Sequence, residues 1–252
     1  MTPLVLGNWK MHLTVSAALA YLQELLPLLP PRDDREIAVA PSFTALQAVG
    51  SLLRGRSVKL AAQDLFWEDE GPYTGEVSAL MLQELGVTYV LVGHSERRQH
   101  LWEADLMVNR KVRAALRADL LPVVCVGEQE GARASGRASS VVRAQVLRAL
   151  DGIAPGEAKK LALAYEPVWA IGSGKAASPA DASEMHATIR TELERLFGAA
   201  GRGTRILYGG SVTPENIDAF MAKPGIDGAL VGGASLRAPE FARIAGFLPP
   251  VA

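Results

Sequence analysis

Three side chains that could move a proton or bind an anion follow apolar runs of the sequence. Lys10, His94 and Glu166 each stand at or just after the end of such a run. A carboxylate beside apolar neighbours is poorly solvated and binds a proton readily, as a general base must. A histidine at a helix start is expected to stay neutral, because the helix dipole disfavours positive charge there.

Two glycine pairs could supply an anion subsite for the same chemistry. Gly209-Gly210 precedes Ser211, and Gly232-Gly233 follows another apolar run. Glycine lets backbone N–H groups approach an anion closely. Neither pair belongs to a Walker loop or a dinucleotide fingerprint, so no nucleotide is expected. Together with the lysine, histidine and glutamate, the pairs fit proton abstraction next to the carbonyl of a phosphorylated small molecule.

These residues need a scaffold that brings them together, and the apolar runs indicate which one. Eight short runs cover residues 4–9, 37–41, 58–63, 88–93, 121–127, 161–166, 205–209 and 228–232. Nearly continuous apolar runs are typical of strands that are buried on both faces, as in a parallel sheet. The candidate residues all lie at carboxyl ends of these strands, where barrel enzymes place their chemistry.

Amphipathic helices are predicted in several gaps between the runs, where apolar residues recur at spacings of three and four. Ser178-Pro179 and Thr213-Pro214 each place a capping hydroxyl before a proline, as at a helix start. Eight strand–helix units in about 250 residues match a closed (β/α)₈ barrel of the α/β class. An open doubly wound sheet is the alternative. No linker interrupts the pattern, so residues 1–252 are expected to form one domain.

Composition excludes several classes of function. The chain has 252 residues, 26 basic and 27 acidic, with a formal net charge of −1, so neither nucleic acid nor an anionic membrane is an expected partner. Cys125 is the single cysteine, which excludes an intramolecular disulfide and a multi-cysteine metal site. No apolar stretch reaches the length of a membrane span, and no secretory signal is seen, so a cytoplasmic location is expected.

Two loops are unusually apolar. The segment from Glu166 to Lys175 carries Trp169 near its start, and we expect it to close over the neighbouring carboxylate and exclude water. A static loop with the tryptophan packed in a crevice is the alternative. The segment from Leu65 to Glu76 carries three aromatic residues, so we expect it to contact a second subunit near the active site.

The motifs together resemble those of the triosephosphate isomerase family. The resemblance rests on Asn8-Trp9-Lys10, Gly93-His94-Ser95-Glu96-Arg97-Arg98, and residues 164–172, 208–212 and 232–236. These segments occur in the family's order and span almost the whole chain. The resemblance implies interconversion of dihydroxyacetone phosphate and glyceraldehyde 3-phosphate, a step of glycolysis and gluconeogenesis. It also implies a homodimer held by the 65–76 loop, and a reaction without metal or cofactor.

The resemblance further implies a role for each matching residue. Glu166 would move the proton, His94 would polarise the carbonyl, and Lys10 would offset negative charge. Asn8 would orient the substrate, and Glu96 would support the lysine. The phosphate would be held by Gly172, Ser211, Gly232 and Gly233.

Some positions depart from the commonest family pattern, and two competing functions would require other residues. Ser173 stands where threonine is usual, Ala176 where a bulkier residue is common, and Asp64 where asparagine is frequent. A phosphate-binding aldolase would need a Schiff-base lysine within a strand, whereas Lys59 and Lys160 are expected to flank strands. A catalytically silent barrel would be favoured by loss of the histidine or the glutamate, but both are present.

Overall fold

The protein is a closed barrel of eight parallel strands surrounded by helices. The structure, a computed structural model, describes residues 1–29, 33–171 and 177–248. The strands are β1 (Leu4–Asn8), β2 (Glu36–Ala40), β3 (Lys59–Ala62), β4 (Tyr89–Val92), β5 (Leu121–Val126), β6 (Ala162–Tyr165), β7 (Arg205–Tyr208) and β8 (Gly228–Val231). Each strand pairs with the next in sequence, and β8 closes the barrel against β1. The predicted barrel is therefore confirmed, and the open sheet is excluded.

Helices cover the outside of the barrel. They are α1 (Val15–Leu28), α2 (Phe43–Leu53), α3 (Ala79–Glu84), α4 (Ser95–His100), α5 (Asp105–Arg117), α6 (Glu130–Ala134), α7 (Ala138–Ala149), α8 (Pro179–Phe197), α9 (Ile217–Met221) and α10 (Ala238–Ala245). Short 3-10 helices cover Pro155–Lys160, Val168–Ala170, Gly198–Gly203 and Gly233–Leu236.

The core has two layers because strand side chains alternate between the two faces of the sheet. On β1, Leu4 and Leu6 point into the barrel, whereas Val5 packs against the helices. Both layers are apolar, which explains why the strands appear in the sequence as continuous apolar runs.

One of the two predicted helix caps is confirmed. Ser178 begins α8 with a capping box, in which its hydroxyl and the Asp181 carboxylate each bond the other's backbone. The other prediction was wrong: α9 begins at Ile217, with Asn216 as its cap. Thr213 instead opens a turn in which its N–H donates to the Asn216 side chain at 2.8 Å.

Of the two lysines expected to flank strands, one lies within a strand. Lys59 is the first residue of β3 rather than a flanking residue. Its side chain is exposed at the amino end of the strand, whereas the candidate site lies at the carboxyl ends. Lys160 ends the 3-10 helix before β6 and pairs with Asp119 at 3.0 Å. Neither lysine lines the cavity that holds the candidate residues.

Candidate active site

The candidate residues of the described chain surround one cavity of about 750 Å³ at the carboxyl end of the barrel. Those lining it are Asn8, Lys10, His94, Glu96, Glu166, Ser211, Gly232 and Gly233. Gly172 lies outside the described residues. The strands explain the convergence: parallel strands end on one side of a barrel, so residues distant in sequence meet there.

His94 and Glu166 are in direct contact inside this cavity. The imidazole Nε2 lies 2.9 Å from Oε1 of the carboxylate, and both side chains are buried. The other carboxylate oxygen accepts a hydrogen bond of 2.8 Å from the backbone N–H of Ser95. A small molecule that enters between the two side chains could therefore meet a proton acceptor and a hydrogen-bond donor at once.

The backbone around His94 fixes the orientation of its ring. Gly93 has φ +75°, and a Cβ there would lie 2.9 Å from Val108, so glycine is required for the turn out of β4. His94 then caps α4, and its Nδ1 accepts the backbone N–H of Glu96 at 3.2 Å. An Nδ1 that accepts carries no proton, so Nε2 of the neutral ring holds the N–H that points at Glu166.

The charge state of His94 depends on its carboxylate neighbour. Burial acts to lower the pKa of His94, but the negative charge and hydrogen bond of Glu166 outweigh it and raise that pKa above 6.5. The position of His94 at a helix start therefore does not alone set its charge, contrary to the expectation from the sequence. A ligand that separates the ring from the carboxylate would remove the largest effect favouring the charged form.

Lys10 reaches the same cavity from the end of β1. Its Nζ donates to Oε1 of Glu96 at 2.6 Å, which fixes the ammonium near His94. Its backbone has φ +51°, an uncommon conformation for a residue with a side chain. Hydrogen bonds hold this conformation: the Lys10 N–H donates to Asn8, and the side-chain amide of Gln63 donates to the Lys10 carbonyl at 2.8 Å.

The glycine pair after β8 lies against the lysine. A Cβ on Gly232 would lie 3.3 Å from Cε of Lys10, so a larger residue there would displace the lysine side chain. The next residue, Gly233, begins a 3-10 helix. The cavity thus combines an ammonium group with backbone that can approach a ligand closely.

Two residues that position this site were not assigned a role from the sequence. Ser95 supplies the backbone N–H that holds Glu166, and Gln63 fixes the backbone of Lys10. Ser95 acts through its own backbone N–H, and Gln63 binds the backbone carbonyl of Lys10. Contacts made with backbone groups cannot be recognised from residue types in the sequence. The only signal in the sequence was that Gln63 ends one of the predicted strands, the run of residues 58–63.

The apolar segment after Glu166 is described as far as Ile171. Trp169 donates its indole N–H to Glu128 at 2.8 Å, and the guanidinium of Arg133 stacks over its ring at 4.2 Å. Residues 172–176 lie outside the described residues, so closure of this segment stays a prediction.

Two other kinds of feature are absent from the described ranges. There, no group of three or more histidine, cysteine, aspartate or glutamate side chains is arranged to hold a metal ion. No helix in the same ranges has the length and apolar character needed to cross a membrane.

Comparisons with known proteins agree with the geometry. A profile of the triosephosphate isomerase family matches residues 3–248. A triosephosphate isomerase of Roseiflexus sp. (strain RS-1) is 51% identical over 249 residues, covering 98% of each chain. One of Chloroflexus aurantiacus is 52% identical over 243 residues, covering 96% of this chain and 97% of the relative.

A solved structure gives the same result at the level of the fold. The crystal structure of triosephosphate isomerase from Bartonella henselae superposes with a TM-score of 0.87 at 38% identity, covering 97% of this chain and 98% of the other. With the profile match and relatives near 50% identity, the chain belongs to the triosephosphate isomerase family.

Proposed function

We propose that the chain interconverts dihydroxyacetone phosphate and D-glyceraldehyde 3-phosphate through an enediolate, with Glu166 as base and His94 as electrophile. The observation that carries the roles is the 2.9 Å contact between the His94 ring and the Glu166 carboxylate. Two groups this close can act on adjacent atoms of one three-carbon substrate.

The proton transfer follows from the two side chains. Glu166 takes the proton from the carbon beside the carbonyl, and the electron pair of that C–H bond moves to form the enediolate. The negative charge develops on the carbonyl oxygen, which accepts a hydrogen bond from Nε2 of His94. The proton of the adjacent hydroxyl group passes to the former carbonyl oxygen, and the electron pair of that O–H bond forms the new carbonyl. The electron pair of the C=C bond takes the proton back from Glu166 at the former carbonyl carbon, so no external oxidant or reductant is needed.

Lys10 is proposed to bind the anionic substrate and to offset the charge of the enediolate. Its ammonium is held by Glu96 at 2.6 Å, so it is positioned before the substrate arrives. Asn8 is proposed to orient the substrate; its side chain accepts the Lys10 N–H at 3.0 Å. A preorganised cation needs no rearrangement as charge develops, which is where electrostatic catalysis is strongest.

The phosphate is proposed to lie against the loops after β7 and β8. Ser211, Gly232 and Gly233 line the cavity there, and barrels of this type often bind phosphate at these loops. Gly172 completes the proposed set. Placing the phosphate here would set the three carbons of the substrate towards His94 and Glu166.

A coupled assay with D-glyceraldehyde 3-phosphate tests the reaction, run with and without a metal chelator. We expect steady turnover that the chelator leaves unchanged, because the proposed steps use only side chains and backbone. Absence of turnover by folded protein would reject the function, and turnover abolished by the chelator would reject the metal-free route.

The assembly is proposed to be a homodimer through the 65–76 loop. Within this loop Phe66 stacks on Trp67 and packs at a tilt against Tyr73, so the aromatic residues are partly buried against one another inside one chain. Large apolar side chains nevertheless stay exposed in neighbouring segments, with Met11 95% and Trp102 84% exposed. Apolar exposure of this extent is typical of a subunit contact.

The variant Met11→Glu distinguishes a dimer that buries this surface from a monomer that leaves it exposed. On a monomer the change should be harmless, because the side chain would stay in water. On a dimer it should bury a charge and shift sedimentation from two chains to one. Leu248→Glu, at another exposed apolar residue, is the matched control. A wild-type chain that sediments as a fully active monomer would contradict the dimer.

Two broader expectations belong to the same proposal. Residues 1–252 are proposed to work as one domain, supported by the pairing of β8 with β1 across the length of the chain. The cytoplasm is the proposed location, because glycolysis and gluconeogenesis supply and consume triose phosphates there.

A further inference from the structure

Four charged side chains form a cluster directly behind the segment that carries His94. Asp64 and Glu103 are each 3% exposed and Lys111 is 2% exposed, while Arg97 covers the cluster on its outer side. We call Asp64, Glu103, Lys111 and Arg97 the buried quartet. Charged side chains are almost never buried unless they are paired, so their mutual contacts decide how the quartet works.

The quartet is balanced in charge and closely connected. Lys111 Nζ donates to Asp64 Oδ1 and to Glu103 Oε2, each at 2.6 Å. The guanidinium of Arg97 forms an ion pair with Asp64, with Nη2 2.7 Å from Oδ2, and donates through Nε to Glu103 Oε2 at 2.8 Å. Each cation therefore bridges both carboxylates, and loss of one carboxylate would leave two cations sharing the other.

The quartet is attached to the active-site segment on both sides. Before His94, the backbone N–H of Gly93 donates to Oε1 of Glu103 at 3.0 Å. After Glu96, the next residue is Arg97 itself, whose backbone N–H donates to the His94 carbonyl at 2.9 Å. Residues 94–96 are thus fixed at both ends by the same four side chains.

This short segment controls three separate contacts of the site. The Ser95 N–H holds Glu166, the Glu96 N–H holds the His94 ring, and the Glu96 carboxylate holds Lys10. A small movement of the segment would displace the base, the electrophile and the cation together. Misplacement of catalytic groups by about 1 Å can lower the rate roughly 10²-fold. An anchor behind this segment is therefore expected to affect kcat.

We propose that Asp64 is a positioning residue for the reaction: its negative charge completes the buried quartet, holds Arg97, and thereby keeps residues 94–96 in register. The inference rests on the proposed roles of His94 and Glu166. Asp64 follows β3, does not line the substrate cavity, and acts only through Arg97 and Lys111. Asparagine has the same shape but lacks the charge that balances the two cations.

The charge on Asp64 depends on pH in a useful range. Burial raises the pKa of Asp64 to about 6; Lys111 opposes this, Glu103 adds to it, and Arg97 also opposes it. These three are the charged groups that face its carboxylate from α4, α5 and the turn between them. Asp64 therefore gains its charge as the pH rises through about 6, and the anchor strengthens over the same interval.

The sign of the stability effect is opposite to that of the activity effect. The pKa of Asp64 in the folded protein lies above its ordinary value of 3.8, so this group contributes most stability at low pH. That contribution is lost as the pH rises through about 6, because the charged form is buried.

Asp64→Asn tests the proposal through kcat, KM and pH together. At pH 8 we expect kcat to fall about three- to tenfold with KM changed by less than about twofold, because the anchor is weakened and the phosphate site is untouched. Thermal unfolding at pH 8 checks that the variant is folded. Asp119→Asn, which removes a carboxylate paired with Lys160 on the surface, is the matched control and should leave kcat unchanged.

The ratio of wild-type to Asp64→Asn kcat should shrink towards one as the pH falls from 8 to 5. At pH 5 wild-type Asp64 is itself protonated and resembles asparagine, while every other titrating group is common to both proteins. A kcat equal to wild type at pH 8, or a ratio that is constant from pH 5 to 8, would overturn the proposal. Asp64→Ser serves as the second variant should the first not fold.

Failure of this proposal and failure of the proposed function give different results. Wild-type turnover of glyceraldehyde 3-phosphate with an unaffected Asp64→Asn variant would reject only the positioning role. No turnover by either protein would reject the function itself.

Discussion

The two ends of the barrel use polar side chains in opposite ways. At the amino end, Glu36, Tyr89 and Arg205 are the first residues of β2, β4 and β7. Arg205 donates to Glu36 at 3.0 Å and to the Tyr89 hydroxyl at 2.7 Å, and that hydroxyl donates in turn to Glu36. These contacts join three strands of one chain and leave no group aimed at a ligand.

At the carboxyl end, the corresponding contacts join groups that a substrate would need. His94 donates to Glu166, and Lys10 donates to Glu96, at the wall of an open cavity. This difference distinguishes contacts that stabilise the fold from contacts that a bound substrate can replace. The contacts among Glu36, Tyr89 and Arg205 join strands and stabilise the fold. The contact between His94 and Glu166 lies at the cavity wall, where a ligand can replace it.

The largest effect should come from removing the base at the carboxyl end. Glu166→Gln keeps the shape of the side chain but cannot accept the proton, so kcat should fall by at least about 10²-fold while substrate still binds. Steady-state kinetics with glyceraldehyde 3-phosphate measure both quantities. Near-normal turnover would show that Glu166 is not the base. It would also contradict the assignment of catalysis to the carboxyl end of the barrel.

A smaller effect is expected from removing the cation. Lys10→Ala should raise KM roughly 10- to 100-fold, because a hydrogen bond to a charged group is worth about 1.5–3 kcal/mol. Lys160→Ala removes a lysine paired at the surface and serves as the control. Unchanged KM and kcat in Lys10→Ala would reject its proposed contact with substrate.

The amino end should respond in stability rather than in activity. Tyr89→Phe removes the hydroxyl that joins Arg205 to Glu36, so the free energy of unfolding should fall by about 1–2 kcal/mol. Denaturant titration measures this change, and kcat should stay within about twofold of wild type. A large loss of kcat at unchanged stability would show that the two ends are not separate in function.

Much of the barrel and of its site could be predicted from the sequence for a physical reason. A strand buried on both faces must be apolar throughout, so a polar residue such as Glu166 marks the point where the strand leaves the core. Glycine before His94 similarly marks a turn that a side chain would obstruct. These signals are local and depend on residue type, so they can be recognised from the sequence alone.

Features that depend on distant partners could not be predicted in this way. Lys111 lies on α5 next to Val112 and has the residue type of a surface position, yet it is buried because Asp64 and Glu103 receive its charge. The backbone of Lys10 is likewise held by Gln63, 53 residues away. Thr213 does not cap a helix, because its N–H donates to the Asn216 side chain in a turn and α9 begins only after that turn.

The central claim is that Glu166 and His94 act on one substrate molecule held between them. A double-mutant cycle tests it most directly, with kcat/KM measured for wild type, Glu166→Gln, His94→Gln and the double variant. Groups that act as a unit are strongly non-additive, so the account predicts a double variant about as slow as the slower single variant. Losses that multiply as though the two changes were independent would contradict it.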